Sequence, residues 1–391
     1  MNEMIQSVMA DVVKWRRELH QIPEIGVDLP QTSDYVCKKL DEMGVSYKKG
    51  VGLEHAIVAT MEGTKQGEGK TLALRADMDA LPIAEESGLP FASKNGNMHA
   101  CGHDGHTAIL LGAIKVLSQM KNQFSGKLVF LFQPGEEISA GAEPMIQAGC
   151  LDGVDGIVGI HVGDISSDCE PGKAYFKLGP MMACLDKWHM TISGKGSHGA
   201  YPHNSFDPVV MQAHIITAVQ EIISRELNPV DPGVVTVGIV QGGTAYNIIP
   251  GSVYLEGTAR AVNKTTREFI SKRIGEIAES VAKTFRGSVD FTYIYGAPPV
   301  VNDDAFTLNI MESSKKVLGE ENVKFIYNPV MGGEDYAYYL EKVPGTFIFL
   351  SNPLKIDGFN YPHHNSKFAL DEQYFERGVA IFVQSAMDFL K

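Results

Sequence analysis

The 391-residue sequence predicts an α/β fold, a domain on a mixed, largely parallel sheet interrupted by an inserted α+β domain. Three observations predict it. Residues 1–184 alternate helical periodicity with short runs of strand formers, the pattern of βα units. Residues 185–297 read in order as β-α-β-β-α-β, the ferredoxin-like split unit. Residues 298–391 return to helix and strand, so the first and third segments form one domain and the second is the insert.

Element by element, residues 11–43 carry apolar residues at helical spacing, broken at Pro23 and Pro30. HAIVATM at 55–61 and TLALR at 71–75 are short and rich in strand formers. Over 107–120, Ile109, Leu110, Ala113, Ile114 and Leu117 share one helical face. KLVFLFQ at 127–133 is almost continuously apolar, as a strand buried on both faces should be, and IVGIH at 157–161 is another. The texture changes around Gly179-Pro180. Residues 186–193 alternate as a strand, 207–225 read as a helix, and 234–240 and 253–261 are strands joined by a turn. A long amphipathic helix is expected over 265–285 and a strand over 289–295. GAPP at 296–299 reads as a returning linker, TFIFL at 346–350 as a buried strand and 371–390 as a closing helix.

Composition excludes several classes. Apolar residues make up 44% and charged residues 21%, ordinary for a soluble globular protein. No apolar run approaches the ~18 residues of a membrane span, and the first residues lack the pattern of a secretory signal. With 34 basic against 47 acidic residues the net charge is −13, which argues against nucleic-acid or membrane-surface partners. Five cysteines at irregular spacing suggest free thiols in a reducing compartment, so a cytoplasmic location is expected.

Five polar clusters carry possible chemistry. HACGHDGH at 99–106 has loop composition and precedes the expected 107–120 helix. Cys and His one residue apart converge on a metal when the backbone is irregular; Asp104 alternatively reads as a helix N-cap. QPGEE at 133–137 ends a buried strand, where open α/β sheets place their sites. Two adjacent carboxylates there divide labour as ligand and general base, or form a solvated acidic loop. His161 ends an apolar strand, and RADMD at 75–79 and YPHHNSKF at 361–368 also lie at strand ends. One shared site explains the five better than five separate accidents. GKGSHG at 194–199 matches a dinucleotide fingerprint, but Tyr201-Pro202 follows where a helix should start, so it is set aside.

RADMDALP (75–82), HACGHDGH (99–106), QPGEE (133–137), GIH (159–161), GKGSHGAYPH (194–203), NIIP (247–250) and HNSKF (364–368) together resemble the aminoacylase family of dinuclear metallopeptidases, metallopeptidase family 20. More narrowly, they resemble its amidohydrolase branch, subfamily D, which holds hippurate hydrolases, N-acyl-L-amino acid amidohydrolases and auxin-conjugate hydrolases. The resemblance spans essentially the whole chain. It implies a zinc-peptidase-like catalytic domain whose insert serves as lid and dimerisation domain, hence a homodimer. It implies two divalent ions per subunit (Mn, Zn, Co or Ni), held by Cys101, His103, Glu137, His161 and His364. His364 is taken over His363 because it keeps the four-residue offset to Phe368. Cys101 stands where the wider family places a bridging aspartate. Arg75 stands in place of a ligand histidine, whose role His103 takes over. Asp77 falls where a carboxylate orients the metal site. Glu136 is then the general base and His198 the oxyanion donor, contributed by the neighbouring subunit. Asn247 and Arg260 are candidate substrate contacts, with Arg260 equally readable as a surface charge. The expected reaction is hydrolysis of the amide of an N-acyl amino acid, such as an acetyl or benzoyl derivative. A metallo-dipeptidase or carboxypeptidase using the same site is the alternative.

Overall fold

The computed structural model describes residues 1–67, 69–165 and 169–391. The chain divides into two compact units. Met1–Gly179, Val301–Asn328 and Asp335–Lys391 form the first; Pro180–Val300 and Pro329–Glu334 form the second.

The first unit is built on an eight-stranded sheet. Its order is Ser46–Lys49, Ile57–Glu62, Lys127–Gln133, Thr71–Asp77, Gly156–Gly163, Gly345–Ser351, Ala174–Phe176, Val323–Phe325. The four central strands, from Lys127–Gln133 to Gly345–Ser351, run parallel. Antiparallel pairings flank them, so the sheet is mixed. Every residue of Thr71–Asp77, Gly156–Gly163 and Gly345–Ser351 is buried. Continuous apolar runs give that outcome because helices cover both faces of such a sheet. Helices Asn2–His20, His103–Ser118 and Phe375–Phe389 pack on one another. They bury Val12, Ile109, Ile114, Val379 and Phe382 in the same core as Phe130 and Phe132. Gly112 permits the close helix approach, since a Cβ there would lie 2.5 Å from Val12 Cγ2.

Two boundaries and one cap differ from the sequence expectation. The helix expected from 107 starts at His103, because Gly102 at φ 88° turns the chain into it. HACGHDGH is therefore half loop and half first helical turn. Asp104 is not the N-cap; that position is Gly102, and the Asp104 carboxylate is taken by Arg16 and His20 instead. Pro30 opens the helix Pro30–Glu42 rather than breaking one, since its missing N–H costs nothing in a first turn.

The second unit holds a four-stranded antiparallel sheet, ordered Gly233–Gly242, Ser252–Ala261, Asp186–Ser193, Ser288–Ile294. Helices Pro208–Ala218 and Lys264–Thr284 pack against it, giving the ferredoxin-like order. Trp188, Met190, Leu255, Ile270 and Ile274 fill its core. Its two chain ends are tied by the buried Asp186 carboxylate. That group accepts from Arg267 Nε at 2.8 Å, the Tyr293 hydroxyl at 2.8 Å and the Gly296 amide at 3.0 Å. All five cysteines are free and buried. Among the described residues, no helix is long and apolar enough to cross a membrane.

Candidate metal centre

The carboxyl ends of the parallel strands gather the first unit's polar motifs. Thr71–Asp77 delivers Arg75 and Asp77, Lys127–Gln133 leads into Glu136 and Glu137, and Gly156–Gly163 carries His161. His103 lies at the start of its helix, two residues after Cys101. His364 sits in the loop after Gly345–Ser351, at φ 65°, with its amide donating to the Ala100 carbonyl. That bond ties the His364 loop to the residue before Cys101.

Five candidate ligands converge. Cys101, His103 and His161 present donor atoms within 4.8 Å of one another, as do Cys101, Glu137 and His364. Cys101 Sγ is 3.5 Å from His161 Nε2, and His364 Nε2 is 3.3 Å from Glu137 Oε2. His103 Nε2 lies 3.9 Å from Glu137 Oε1 and 3.9 Å from Glu136 Oε2. His363 faces elsewhere, its Nε2 2.9 Å from the Val162 carbonyl.

The histidine tautomers follow from their partners. A carbonyl can only accept, so His103 Nδ1–H donates to the Asp79 carbonyl at 2.9 Å, and His161 Nδ1–H to that of Val162 at 2.9 Å. Both Nε2 atoms are turned to the cluster, where a bound ion would take their lone pairs. His103 Nε2 and Glu137 Oε1 are buried with no hydrogen-bond partner. Orphaned buried polar atoms are costly unless something else satisfies them. Ligands at about 2.0–2.3 Å from a tetrahedral ion stand about 3.3–3.8 Å apart. The spacings of 3.3 to 3.9 Å here match that better than they match a hydrogen-bond network. A thiolate, three imidazoles and a carboxylate suit a divalent transition ion.

The electrostatics point the same way. Burial disfavours a charged His103, yet Asp77, Asp79 and Glu137 outweigh it and raise its pKa to about 10. A site that pulls a proton so strongly onto a buried imidazole is short of positive charge, which a bound cation supplies. His161 is held well below its ordinary value, by burial first and then by neighbouring histidines, so its ring stays neutral as a ligand must. The donor set therefore fits a metal.

Residues 73–388 match the family model of peptidase family M20/M25/M40. The chain belongs to peptidase family M20. It is 38% identical over 377 residues to the N-acetyl-L-cysteine deacetylase of Bacillus subtilis, covering 96% of this chain and 87% of that one. It is 37% identical over 382 residues to thermostable carboxypeptidase 1 of Saccharolobus solfataricus, covering 97% and 95%. Among solved structures, it resembles the B. subtilis YxeP protein, a dinuclear metal-binding peptidase of the M20 family. There the TM-score is 0.86 at 32% identity, covering 98% and 99% of the two chains.

In this M20 chain the remaining sequence candidates lie as follows. Asp77 is fully buried one layer beneath the cluster and comes only within 3.8 Å of His103 Nε2. Asp79, not singled out within RADMD, is the carboxylate that grips the site. Its two oxygens accept the Glu136 and Glu137 amides at 3.1 Å each, and one lies 3.4 Å from His103 Nδ1. The only sequence signal was its position at a strand end. Arg75 is buried, donating to Gln133, Asp77 and Asp335 at 2.9, 2.6 and 3.0 Å. His198, Asn247 and Arg260 belong to the second unit. His198 is exposed in the short ribbon Ser197–His198, paired with Ile248–Ile249 next to Asn247. Arg260 is half-buried on Ser252–Ala261, its Nη1 donating to the Asp186 and Ala259 carbonyls.

Proposed function

We propose that this protein is a metal-dependent amidohydrolase that cleaves N-acyl amino acids to a carboxylate and the free amino acid. Two divalent ions are held by Cys101, His103, Glu137, His161 and His364. The observation that carries the reading is the convergence of these five donors beside a second carboxylate, Glu136, 3.9 Å from His103 Nε2. The deacetylase relative supports an N-acyl amino acid as substrate. Bound divalent ions would acidify a water and polarise the scissile carbonyl. Glu136 takes the proton of the attacking water on its carboxylate and returns it to the leaving amine. Asp79 fixes both glutamates through their backbone amides. The thiolate tilts the choice among Mn, Zn, Co and Ni toward the softer ions.

His198 supplies the oxyanion donor. Its Nδ1 accepts the Ala200 amide at 3.0 Å, which leaves the proton of the neutral ring on Nε2. We assign that donor to the neighbouring subunit of a homodimer. Helix Pro208–Ala218 supports this, because it exposes Val209 and Val210 on the face turned from the core. So does the edge strand Gly233–Gly242, which exposes Ile239 and Val240 beside unpaired backbone groups. Asn247 and Arg260 contact the substrate carboxylate, and the protein works in the cytoplasm.

The carboxypeptidase relative favours a second reading, peptide cleavage at the same site. The test is a panel of N-acetyl and N-benzoyl amino acids beside dipeptides, offered to chelated protein reloaded with Mn(II), Zn(II), Co(II) or Ni(II). Release of free amino acid from the N-acyl compounds in preference to the dipeptides is expected. Preference for dipeptides makes it a peptidase; no hydrolysis of either with any metal defeats the proposal.

A further inference from the structure

His106 closes the HACGHDGH string and lies within ligand distance of Asp77 and His103, as a metal ligand would. Its bonds exclude that role. A backbone amide can only donate, so Val162 N–H donates to His106 Nε2 at 2.8 Å, and that nitrogen has no lone pair left. The ring proton is then on Nδ1, where it donates to Asp77 Oδ1 at 2.6 Å. Asp77 is held in turn by Arg75, 2.6 Å from its other oxygen.

The ring sits between two of the candidate ligands. It stacks on His103 with centroids 5.4 Å apart and planes at 29°, and meets His161 edge-on at 4.7 Å and 70°. His103 and His161 are themselves 6.3 Å apart. The Val162 backbone is the second point of contact. Its N–H is fixed by His106, while its carbonyl accepts His161 Nδ1–H at 2.9 Å and His363 Nε2–H at 2.9 Å. The N–H and the carbonyl lie in successive peptide units joined at the Val162 Cα, so a displacement of Val162 at its N–H shifts the acceptor that sets the tautomer and direction of the His161 ring.

We infer that His106 is a positioning residue, an imidazole wedged between His103 and His161 that aims the His161 Nε2 at the metal site through the Val162 backbone. The chain Arg75–Asp77–His106–Val162–His161 runs from the centre of the sheet to a ligand. Buried Asp77 serves the site through His106 rather than by touching a ligand itself. This inference rests on the metal-site reading above, and its test reads metal binding rather than turnover.

Two variants separate the two bonds. In His106→Asn the amide N–H replaces Nδ1–H toward Asp77, but nothing reaches Val162. In His106→Gln the longer side chain brings an oxygen near the Nε2 position to accept from Val162. Partners of this kind typically contribute 10–100-fold to metal affinity. Equilibrium dialysis with Zn(II) should show one of the two ions weakened ~10–100-fold in His106→Asn and near wild type in His106→Gln. The thiolate-to-cobalt band of the Co(II) proteins should shift in the first and stay in the second. Wild-type affinity and spectrum in both folded variants, or equal losses in both, overturn the inference. If either variant fails to fold, wild-type protein loaded with ¹¹³Cd decides. Through-bond coupling should reach His103, His161 and His364 but not His106, whose Nδ1 alone should be protonated. Coupling to His106 overturns the inference, whereas wild-type protein that binds no ion defeats the metal-site reading instead.

Discussion

Asp79→Asn is the most informative single change at the site. The wild-type carboxylate is 1% exposed and accepts two amide hydrogens, those of Glu136 and Glu137, at 3.1 Å each. Asparagine keeps the volume but offers one oxygen, so one amide must face the new NH₂ group. The loss is one charge-assisted hydrogen bond, about 1.5–3 kcal/mol, plus a buried donor without a partner at about 1–3 kcal/mol. The negative charge near His103 Nδ1 at 3.4 Å goes as well. Because both glutamates hang from this one carboxylate, the damage falls on metal retention and proton transfer together. A drop of ~10–100-fold in metal affinity is expected, with a fall in kcat beyond what saturating metal restores. Metal content by plasma emission after dialysis, with turnover at graded metal concentrations, measures both. An Asp79→Asn protein with wild-type metal affinity and wild-type kcat would refute the clamp.

Cys101→Ser should weaken metal binding, since a serine hydroxyl is a far poorer anion than a metal-held thiolate. Chelating the wild type should raise the count of Ellman-reactive thiols by one, and that increment should vanish in Cys101→Ser. Cys150 and Cys184, pushed up mainly by burial to about 12 and about 11, should stay silent in both. His20→Gln should show a pH-dependent stability penalty. Burial and Arg16 lower the His20 pKa, yet Asp104 and Glu85 outweigh them and raise it above the ordinary 6.5, so its contribution is complete below 6.5 and lost as pH rises through the folded value. Burial raises Glu85, but His20, Ser87 and the Ser93 amide bring it below its ordinary 4.5, so its share is present above 4.5 and lost as pH falls through the folded value. The drop in melting temperature should therefore be greatest between pH 4.5 and 6.5; a larger drop at pH 9 than at pH 5.5 contradicts it. His198→Ala and Glu136→Gln should each lose ~10²–10³-fold or more alone. After verified subunit exchange, a mixed dimer should recover up to about half of wild-type activity, and no recovery places His198 in its own subunit's site.

Several features were legible because their signals are local. The continuous apolar runs at 127–133 and 157–161 could only be strands buried on both faces, and they are. The β-α-β-β-α-β order of the second unit needed only the change of periodicity. What escaped depends on contacts far apart in sequence. The helix start at His103 was hidden because its first turn carries His103, Asp104 and His106, side chains spent on distant partners rather than on a visible cap. Asp77 and Asp79 are indistinguishable in RADMD. Which one grips the glutamates is decided by the QPGEE loop, 57 residues further on. Arg16 reads as the polar face of an amphipathic helix, yet it is 1% exposed against Asp104. His106 looked like any other histidine of its cluster until Val162, 56 residues away, occupied its Nε2.

The most direct measurement is anomalous diffraction from crystals of protein reloaded with Zn(II) or Mn(II), collected on both sides of the metal's absorption edge. Two peaks enclosed by Cys101, His103, Glu137, His161 and His364, with His106 outside both coordination spheres, are predicted. A single peak, peaks away from these side chains, or His106 bound directly to an ion would contradict it.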